Sequence, residues 1–149
     1  MFRHILVPVD GSLASNQAIE KAVAIAQAFK SEVTVVSVID MFAFAGMGMD
    51  TGYGQAEYLK AMSDQAENAV NDAKLIFDAS GVRLNTCVIQ GQVIYQNIID
   101  AAKSVNADLI VMGSHGRKGF AKLVLGSVAA HVLAHTHLPV MVVRQPNQE

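Results

Sequence analysis

The stretch from Gly113 to Ser127 combines the residue types that bind phosphate groups. It contains no acidic residue, four glycines and three cations, which are Arg117, Lys118 and Lys122. Glycines allow sharp turns that expose backbone N–H groups, a helix N-terminus favours negative charge, and Arg or Lys neutralises phosphate oxygens. Gly126 and Ser127 come directly before a predicted helix, so their N–H groups would face a bound anion. The pattern predicts a phosphate site, with an ordinary basic surface loop as the alternative.

A second candidate site follows the first predicted strand, in the segment Pro8-Val9-Asp10-Gly11-Ser12. In open α/β sheets, ligands bind beyond the carboxyl ends of the strands, at the point where the strand order reverses. If the first strand is central and the fourth lies beside it, Asp10 and Gly113 line the same crevice. The Asp10 carboxylate could then accept hydrogen bonds from a ribose or a base edge, or hold a metal ion through water. It could equally cap the helix that follows.

The elements that must position these residues alternate between strands and helices. Consecutive β-branched and aliphatic residues are typical of parallel strands with helices on both faces, and four segments show them: 5–9, 33–39, 109–112 and 140–143. A fifth strand, marked by Val82, Leu84 and Val88, alternates with polar residues and is predicted at a sheet edge. Amphipathic helical stripes separate the strands. The sequence predicts a doubly wound α/β domain whose five-stranded parallel sheet has the order 3-2-1-4-5.

Local signals mark the ends of these elements. Ser12 is a suitable N-cap for the first helix, and Gly81 suits the left-handed position after the second. We expect Gly116 in a turn whose backbone angles are open mainly to glycine. The segment 41–54 follows neither period and is interpreted as a long connection whose Phe and Met residues fold over a pocket or a partner. The polar tail, 145–149, is expected to fray.

Length and composition favour one domain over residues 1–149. Hydrophobic residues make up 52% of the chain and charged residues 16%, which excludes the disordered class. A net charge of −2 gives no sign of a protein that coats nucleic acid or an anionic membrane. A single cysteine, Cys87, cannot form an internal disulfide, and neither a signal peptide nor an apolar run of about 18–20 residues is evident. We therefore expect a cytoplasmic protein without a membrane segment.

The spacing Gly113-x2-Gly116-x9-Gly126-Ser127 resembles the ATP-binding signature of the universal stress protein family. The opening segment 5–12 is similar to that family's first strand and turn, and the resemblance extends over essentially the whole chain. Three glycines and a serine at fixed separations, together with the strand-one motif, form a specific pattern. The family contains members that bind ATP and members that lack the signature. Because every fixed position is present here, the resemblance implies an ATP binder.

The resemblance also implies which residues contact the nucleotide. The positions that match or lie inside the family's motifs are Pro8, Val9, Asp10, Val38, Met112, Gly113, His115, Gly116, Arg117, Gly126, Ser127 and Val128. The first three would flank the base and ribose, with Val38 at the adenine. Residues 112, 113 and 116 would contact the ribose and phosphates, and residues 126–128 would bind phosphates at a helix N-terminus. His115 and Arg117 occupy variable positions of the signature. Mg²⁺ or Mn²⁺ would accompany the phosphates.

The expected function is regulatory ATP binding in a stress response, with slow or no hydrolysis. The sequence lacks the paired carboxylates, Walker aspartate or positioned base that phosphoryl transfer needs. Neither a P-loop nor a strand-linked Gly-x-Gly-x-x-Gly motif occurs. An ATP-pyrophosphatase-type enzyme would need a Ser-Gly-Gly-x-Asp-Ser loop after strand one, which residues 8–12 do not provide. The remaining alternative is a dimeric interaction module with a vestigial nucleotide pocket and an unknown protein partner.

Two further features concern assembly and metal binding. Pro139 followed by four apolar residues predicts an open edge strand, and we expect a homodimer formed by antiparallel pairing of residues 139–143, as in the relatives. His131, His135 and His137 include a pair at metal-ligand spacing. The alternative is a solvent-facing cluster that suits the dipole at a helix C-terminus.

Overall fold

The computed structural model describes residues 1–42, 52–116 and 125–145, without the side chains of residues 52 and 53. The strands and helices alternate along the described chain. The strands are β1 His4–Pro8, β2 Glu32–Asp40, β3 Leu84–Gly91, β4 Leu109–Gly113 and β5 Val140–Val143. The helices are α1 Leu13–Phe29, α2 Gly52–Asp78, α3 Ile94–Ser104 and α4 Ser127–His135.

The five strands form one parallel sheet in the order β3-β2-β1-β4-β5. This confirms the predicted doubly wound topology. Consecutive residues of the central strand β1, Ile5 to Val7, are fully buried, because helices cover both faces of the sheet. Strand β3 lies at one edge, and its residues are half-buried or exposed, as its alternating pattern predicted.

The helices divide into two layers with separate apolar cores. Helices α1 and α2 pack on one face of the sheet, where Val7, Val35 and the fully buried Phe77 belong to one cluster. Helices α3 and α4 cover the other face, where Leu6 and Met112 belong to a second cluster. Each strand therefore sends alternate side chains into different cores.

The helix ends follow their local sequence signals in two places and depart from prediction in a third. The Ser12 Oγ accepts a hydrogen bond from the Ser15 backbone N at 3.2 Å, which confirms the N-cap. Gly81 has a φ of 76°, which confirms the left-handed conformation after α2. Helix α2 begins at Gly52, within the segment 41–54 that was interpreted as a connection, and residues 41 and 42 are also helical. Glycines in its first turn lower helix propensity and hide the start of the helix.

Residues 43–51, and the prediction that they close over a pocket, lie outside the described part of the chain. The same is true of residues 146–149 in the polar tail. In the described ranges, no helix combines the length and apolar character needed to cross a membrane.

Strands β1 and β4 diverge at their carboxyl ends. Strands β1 and β2 pair over five positions, from His4–Glu32 to Pro8–Val36. Strands β1 and β4 pair only at Ile5–Leu109 and Leu6–Ile110. After β1 the chain continues into α1 on one face, and α4, which follows β4 along the chain, lies on the other. A crevice therefore opens at the point where the strand order reverses.

Candidate functional site

A cavity of about 340 Å³ lies in this crevice, at the carboxyl ends of β1, β2 and β4. Its volume is within the range of small-molecule sites. The residues predicted from the sequence that line it are Pro8, Val9, Asp10, Val38, Met112, Gly113, His115, Gly116, Gly126, Ser127 and Val128. The remaining predicted residue, Arg117, lies outside the described residues. Residues that are far apart along the chain thus surround one space.

The turn after β1 is held by Asp10. Its Oδ1 accepts a hydrogen bond from the Ser12 backbone N at 2.9 Å, and its own N–H donates to the Ser15 Oγ at 3.3 Å. Gly11, with a φ of 79°, supplies the left-handed backbone that this turn needs. Of the two roles considered for Asp10, helix capping belongs to Ser12. The Asp10 carboxylate instead shapes the turn and lies on the cavity wall.

The glycines of the signature allow three close approaches. A Cβ built on Gly113 would lie 2.8 Å from the carbonyl carbon of Ala14, so this glycine lets the start of α1 pack against the end of β4. A Cβ on Gly126 would lie 2.8 Å from the Ser114 carbonyl oxygen. A Cβ on Gly116 would lie 2.7 Å from the Asp10 Oδ2, which shows that the loop after β4 reaches the turn after β1.

The prediction that Gly116 adopts backbone angles open mainly to glycine was wrong. Among the described glycines, Gly11 and Gly81 have positive φ, and Gly116 does not. Its φ therefore does not require a glycine. What a side chain at this position would lack is space, because the Asp10 carboxylate occupies it.

The first turn of α4 opens into the cavity. The Gly126 N–H donates to the Ser114 carbonyl at 2.6 Å, and the Ala130 N–H makes the first hydrogen bond of the helix, to the Gly126 carbonyl at 3.0 Å. The N–H groups of residues 127–129 precede that bond and have no acceptor within the helix. Gly126 has no side chain with which to cap them. The positive end of the helix dipole therefore lies at the cavity wall.

Apolar side chains form the rest of the wall. Val36 and Val38 come from β2, Ile94 and Ile98 from α3, and Met112 from β4. Of these, the sequence analysis assigned only Val38 and Met112 to the site. Val36, Ile94 and Ile98 follow the strand and helix patterns of ordinary core residues. Their sequence pattern therefore does not show that they line a cavity. Ser15, Ser114 and Ala129 were also missed, although Ser114 lies inside the glycine-rich signature.

His115 carries a polar atom that the surrounding protein does not satisfy. Its Nδ1 lies 3.0 Å from the Oγ of Ser114, a residue that is 1% exposed. Its Nε2 is buried and has no hydrogen-bond partner in the described structure. A buried, unpaired nitrogen is costly, and a polar ligand in the cavity would relieve that cost.

The other candidates lie away from the cavity. Cys87 is half-buried on β3, and burial raises the pKa of its thiol, which disfavours the reactive thiolate. Over the described ranges, no three His, Cys, Asp or Glu residues are grouped so that they could hold a metal ion. The three α4-region histidines therefore do not form a three-ligand site.

Comparison with known proteins identifies the family. The model of the universal stress protein family matches residues 1–144. The chain belongs to the universal stress protein family. This membership confirms the resemblance noted in the glycine signature and in the first strand.

Individual members of the family support the assignment over the full length. Universal stress protein MJ0531 of Methanocaldococcus jannaschii is 33% identical over 149 residues, covering 100% of this chain and 86% of the relative. The structure of MJ0577 from the same organism superimposes with a TM-score of 0.85 at 26% identity, covering 99% of each chain. The universal stress protein UspA from Lactobacillus plantarum gives a TM-score of 0.81 at 30% identity, covering 95% of this chain and 97% of its own.

Proposed function

We propose that this universal stress protein binds ATP, or another adenine nucleotide, in the cavity between β1 and β4 and acts as a regulatory module in the stress response. One observation carries the proposal: a single cavity combines an apolar wall, a carboxylate and an open helix N-terminus. These three features match the base, the ribose and the phosphates of a nucleotide. Strand β1, which leads into Asp10, lies between β2 and β4, so the carboxylate lies between the other two features.

The apolar wall is suited to a planar base. Val36 and Val38 of β2 line one side, and Ile94 and Ile98 of α3 line another. Burial of an aromatic ring against these side chains removes apolar surface from water, which favours binding. We assign the adenine to this part of the cavity, as the family resemblance implies for Val38.

The start of α4 is suited to phosphates. Backbone N–H groups of residues 127–129 and the Ser127 hydroxyl line the same wall, and a helix N-terminus attracts anions. We propose that the cations in the segment 117–122, which lies outside the described residues, neutralise part of the phosphate charge. Mg²⁺ or Mn²⁺ would be held mainly by the phosphate oxygens, with Asp10 the one carboxylate among the described lining residues.

Two solved proteins of the same fold were obtained with adenine nucleotides. One is a universal stress protein in complex with cAMP, with a TM-score of 0.67 at 24% identity. The other, from Arabidopsis thaliana, has AMP bound, with a TM-score of 0.69 at 15% identity. At these identities the likeness is one of fold, so the choice of ligand here depends on the cavity's own residues.

We further propose that the protein hydrolyses its bound ATP slowly or not at all. Phosphoryl transfer to water needs a group that orients the attacking water together with charge stabilisation at the transferred phosphate. Among the described lining residues, no second carboxylate stands beside Asp10, and the Oδ1 of Asp10 already accepts a hydrogen bond from Ser12. These contacts support a role in holding the nucleotide.

We also propose that the working unit is a homodimer. Strand β5 lies at the sheet edge and pairs with β4 on one side only. Met141 on this strand is 41% exposed, although it stands in an apolar run. A second copy of β5, paired antiparallel across a two-fold axis, would cover both the edge and this side chain.

The central test is calorimetric titration of the full chain with ATP, ADP, AMP, adenosine and GTP. We expect adenine nucleotides to bind and Gly126→Val to abolish binding, because its Cβ would meet the Ser114 carbonyl and displace the start of α4. Circular dichroism and the oligomeric state of the variant control for folding. Equal ATP affinity in wild type and Gly126→Val would place binding elsewhere. A folded wild type that binds no nucleotide would favour the interaction module with a vestigial pocket.

A further inference from the structure

Outside the cavity, two histidines of α4 and a tyrosine of α3 form a cluster on the protein surface. The ring centroid of Tyr95 lies 5.0 Å from that of His131 and 4.8 Å from that of His135. The two imidazoles are 6.2 Å apart with nearly parallel planes. Both histidines are exposed, and their spacing of four residues places them on one face of the helix. We call these three residues the Tyr95 cluster.

The hydrogen bonds of the cluster fix where each imidazole carries its proton. The Nδ1 of His131 lies 2.7 Å from the Ser127 carbonyl, and the Nδ1 of His135 lies 2.8 Å from the His131 carbonyl. A carbonyl oxygen can only accept, so each Nδ1 must be the N–H donor. In the neutral imidazole, the Nε2 then holds the lone pair. Both rings are thus in the tautomer that offers Nε2 as a metal ligand.

The same hydrogen bonds are those that accompany histidine ligands in metal sites. A histidine that binds a metal through one nitrogen usually donates its other N–H to a carbonyl or a carboxylate, which orients the ring and raises its basicity. Here both carbonyl partners are already in place. Tyr95 packs against both rings and keeps their centroids 6.2 Å apart, so a turn of the rings toward each other brings both Nε2 atoms to one ion.

The local charge also favours a cation. Helix α4 contains no Lys or Arg, and His135 stands in its last turn, where the helix dipole is negative. The two histidines are neutral in the form that binds metal, so an ion arriving there would meet no positive side chain from α4 itself.

We propose that His131 and His135 form a two-histidine surface site for a divalent transition metal ion of the class that prefers imidazole, namely Cu²⁺, Ni²⁺ or Zn²⁺. The rings turn toward each other so that both Nε2 atoms reach one ion at about 2.0–2.1 Å. Water completes the coordination, and the bound ion exchanges readily. This site is separate from the nucleotide cavity and does not depend on the proposed function.

The first test is nuclear magnetic resonance of the metal-stripped full chain, carrying no affinity tag. Addition of Ni²⁺ below one equivalent at neutral pH should broaden the imidazole signals of His131 and His135 before those of the other histidines. Broadening that begins at His4, His115 or His137 would overturn the proposal, and so would broadening that is equal at all five histidines.

The second test is calorimetric titration of matched variants with Zn²⁺. His131→Gln and His135→Gln should each weaken binding by about tenfold or more, because a single remaining ligand loses the advantage of chelation. His137→Gln is the control, since His137 is exposed and lies beyond the end of α4, and it should bind within about twofold of wild type. Equal losses in all three variants, or no loss in the first two, would refute the site.

Discussion

At the scale of single residues, the glycines of the signature differ in which atoms an added Cβ would meet. A Cβ at Gly113 would meet the backbone of Ala14, which cannot move without shifting α1. A Cβ at Gly116 would meet only the end of the Asp10 side chain. One glycine therefore serves packing, and the other serves the geometry of the cavity.

This difference predicts opposite results for two alanine substitutions. Gly113→Ala should destabilise the fold by about 1–3 kcal/mol through overpacking. Gly116→Ala should cost less stability than Gly113→Ala and mainly weaken nucleotide binding, because only the end of the Asp10 side chain has to move. Urea unfolding and calorimetric titration of both variants separate the two effects. A Gly116→Ala protein that is as unstable as Gly113→Ala would contradict this assignment.

The Ser127 hydroxyl offers a smaller and more specific change. Ser127→Ala removes one group from the cavity wall and should weaken ATP binding roughly ten- to a hundred-fold, the equivalent of about 1.5–3 kcal/mol for a hydrogen bond to a charged group. Adenosine, which has no phosphate, should bind both proteins equally. Ser104→Ala is the matched control, because that hydroxyl bonds to the Ala101 carbonyl at the end of α3. Equal losses for ATP and adenosine would show that Ser127 does not contact phosphate.

At the scale of elements, an ion pair links the start of β2 to the residue before β3. The Arg83 guanidinium donates to the Glu32 carboxylate at 2.8 Å, and this hydrogen bond holds the pKa of Glu32 below its ordinary value of 4.5. Favourable charge interactions with Arg83 and His4 act in the same direction, and partial burial opposes them. A carboxyl with a lowered pKa in the folded state stabilises the fold above its unfolded pKa.

We therefore expect Arg83→Met to raise the pKa of Glu32 toward 4.5. The stability that wild type gains from the pair is fully present near neutral pH and is lost as the pH falls through the lowered pKa. The free energies of unfolding of wild type and variant, measured as a function of pH, should thus be similar in acid and differ above about pH 5. Carboxyl titration by nuclear magnetic resonance reports the pKa directly, and an unchanged Glu32 pKa in the variant would show that Arg83 is not its cause.

The elements also show what could be predicted from the sequence. The strand order, the Ser12 cap and the Gly81 turn were predictable, because each depends on local patterns or on general rules for parallel sheets. The cavity wall formed by Ile94 and Ile98 was not, because an apolar residue facing a ligand has the same pattern as one facing the core. The close approach that requires a glycine at position 116 was not predictable either, since it depends on the Asp10 carboxylate, more than a hundred residues away along the chain.

At the scale of the whole molecule, the proposed dimer can be tested at one backbone group. The Pro139 carbonyl accepts a hydrogen bond from Ile110 of β4, and the Val143 carbonyl accepts one from Ser114, the residue after β4. The backbone N–H and C=O groups of odd-numbered residues in β5 therefore point toward β4. By alternation, the N–H of Val142 faces outward. Val142→Pro removes an N–H from the free edge and should leave the pairing with β4 intact.

We expect wild type to sediment as a dimer at tens of micromolar, and Val142→Pro to sediment as a monomer. Val142→Thr keeps both the N–H and the β-branched shape, and it should remain dimeric. A monomeric wild type would refute the dimer. A dimeric Val142→Pro protein would place the interface on another surface.

The short pairing between β1 and β4 has a consequence for how the protein is made. Strands β1 to β3 come from residues 4–91, and β4 and β5 come from residues 109–143. Within the sheet, these two contiguous parts of the chain pair at only two register positions. During synthesis, the half that carries Asp10 and Val38 emerges first. The wall formed by residues 126–128 exists only after most of the chain has been translated. The proposed binding site is therefore completed late, and a bound nucleotide would mark a chain whose two parts have both been made and joined.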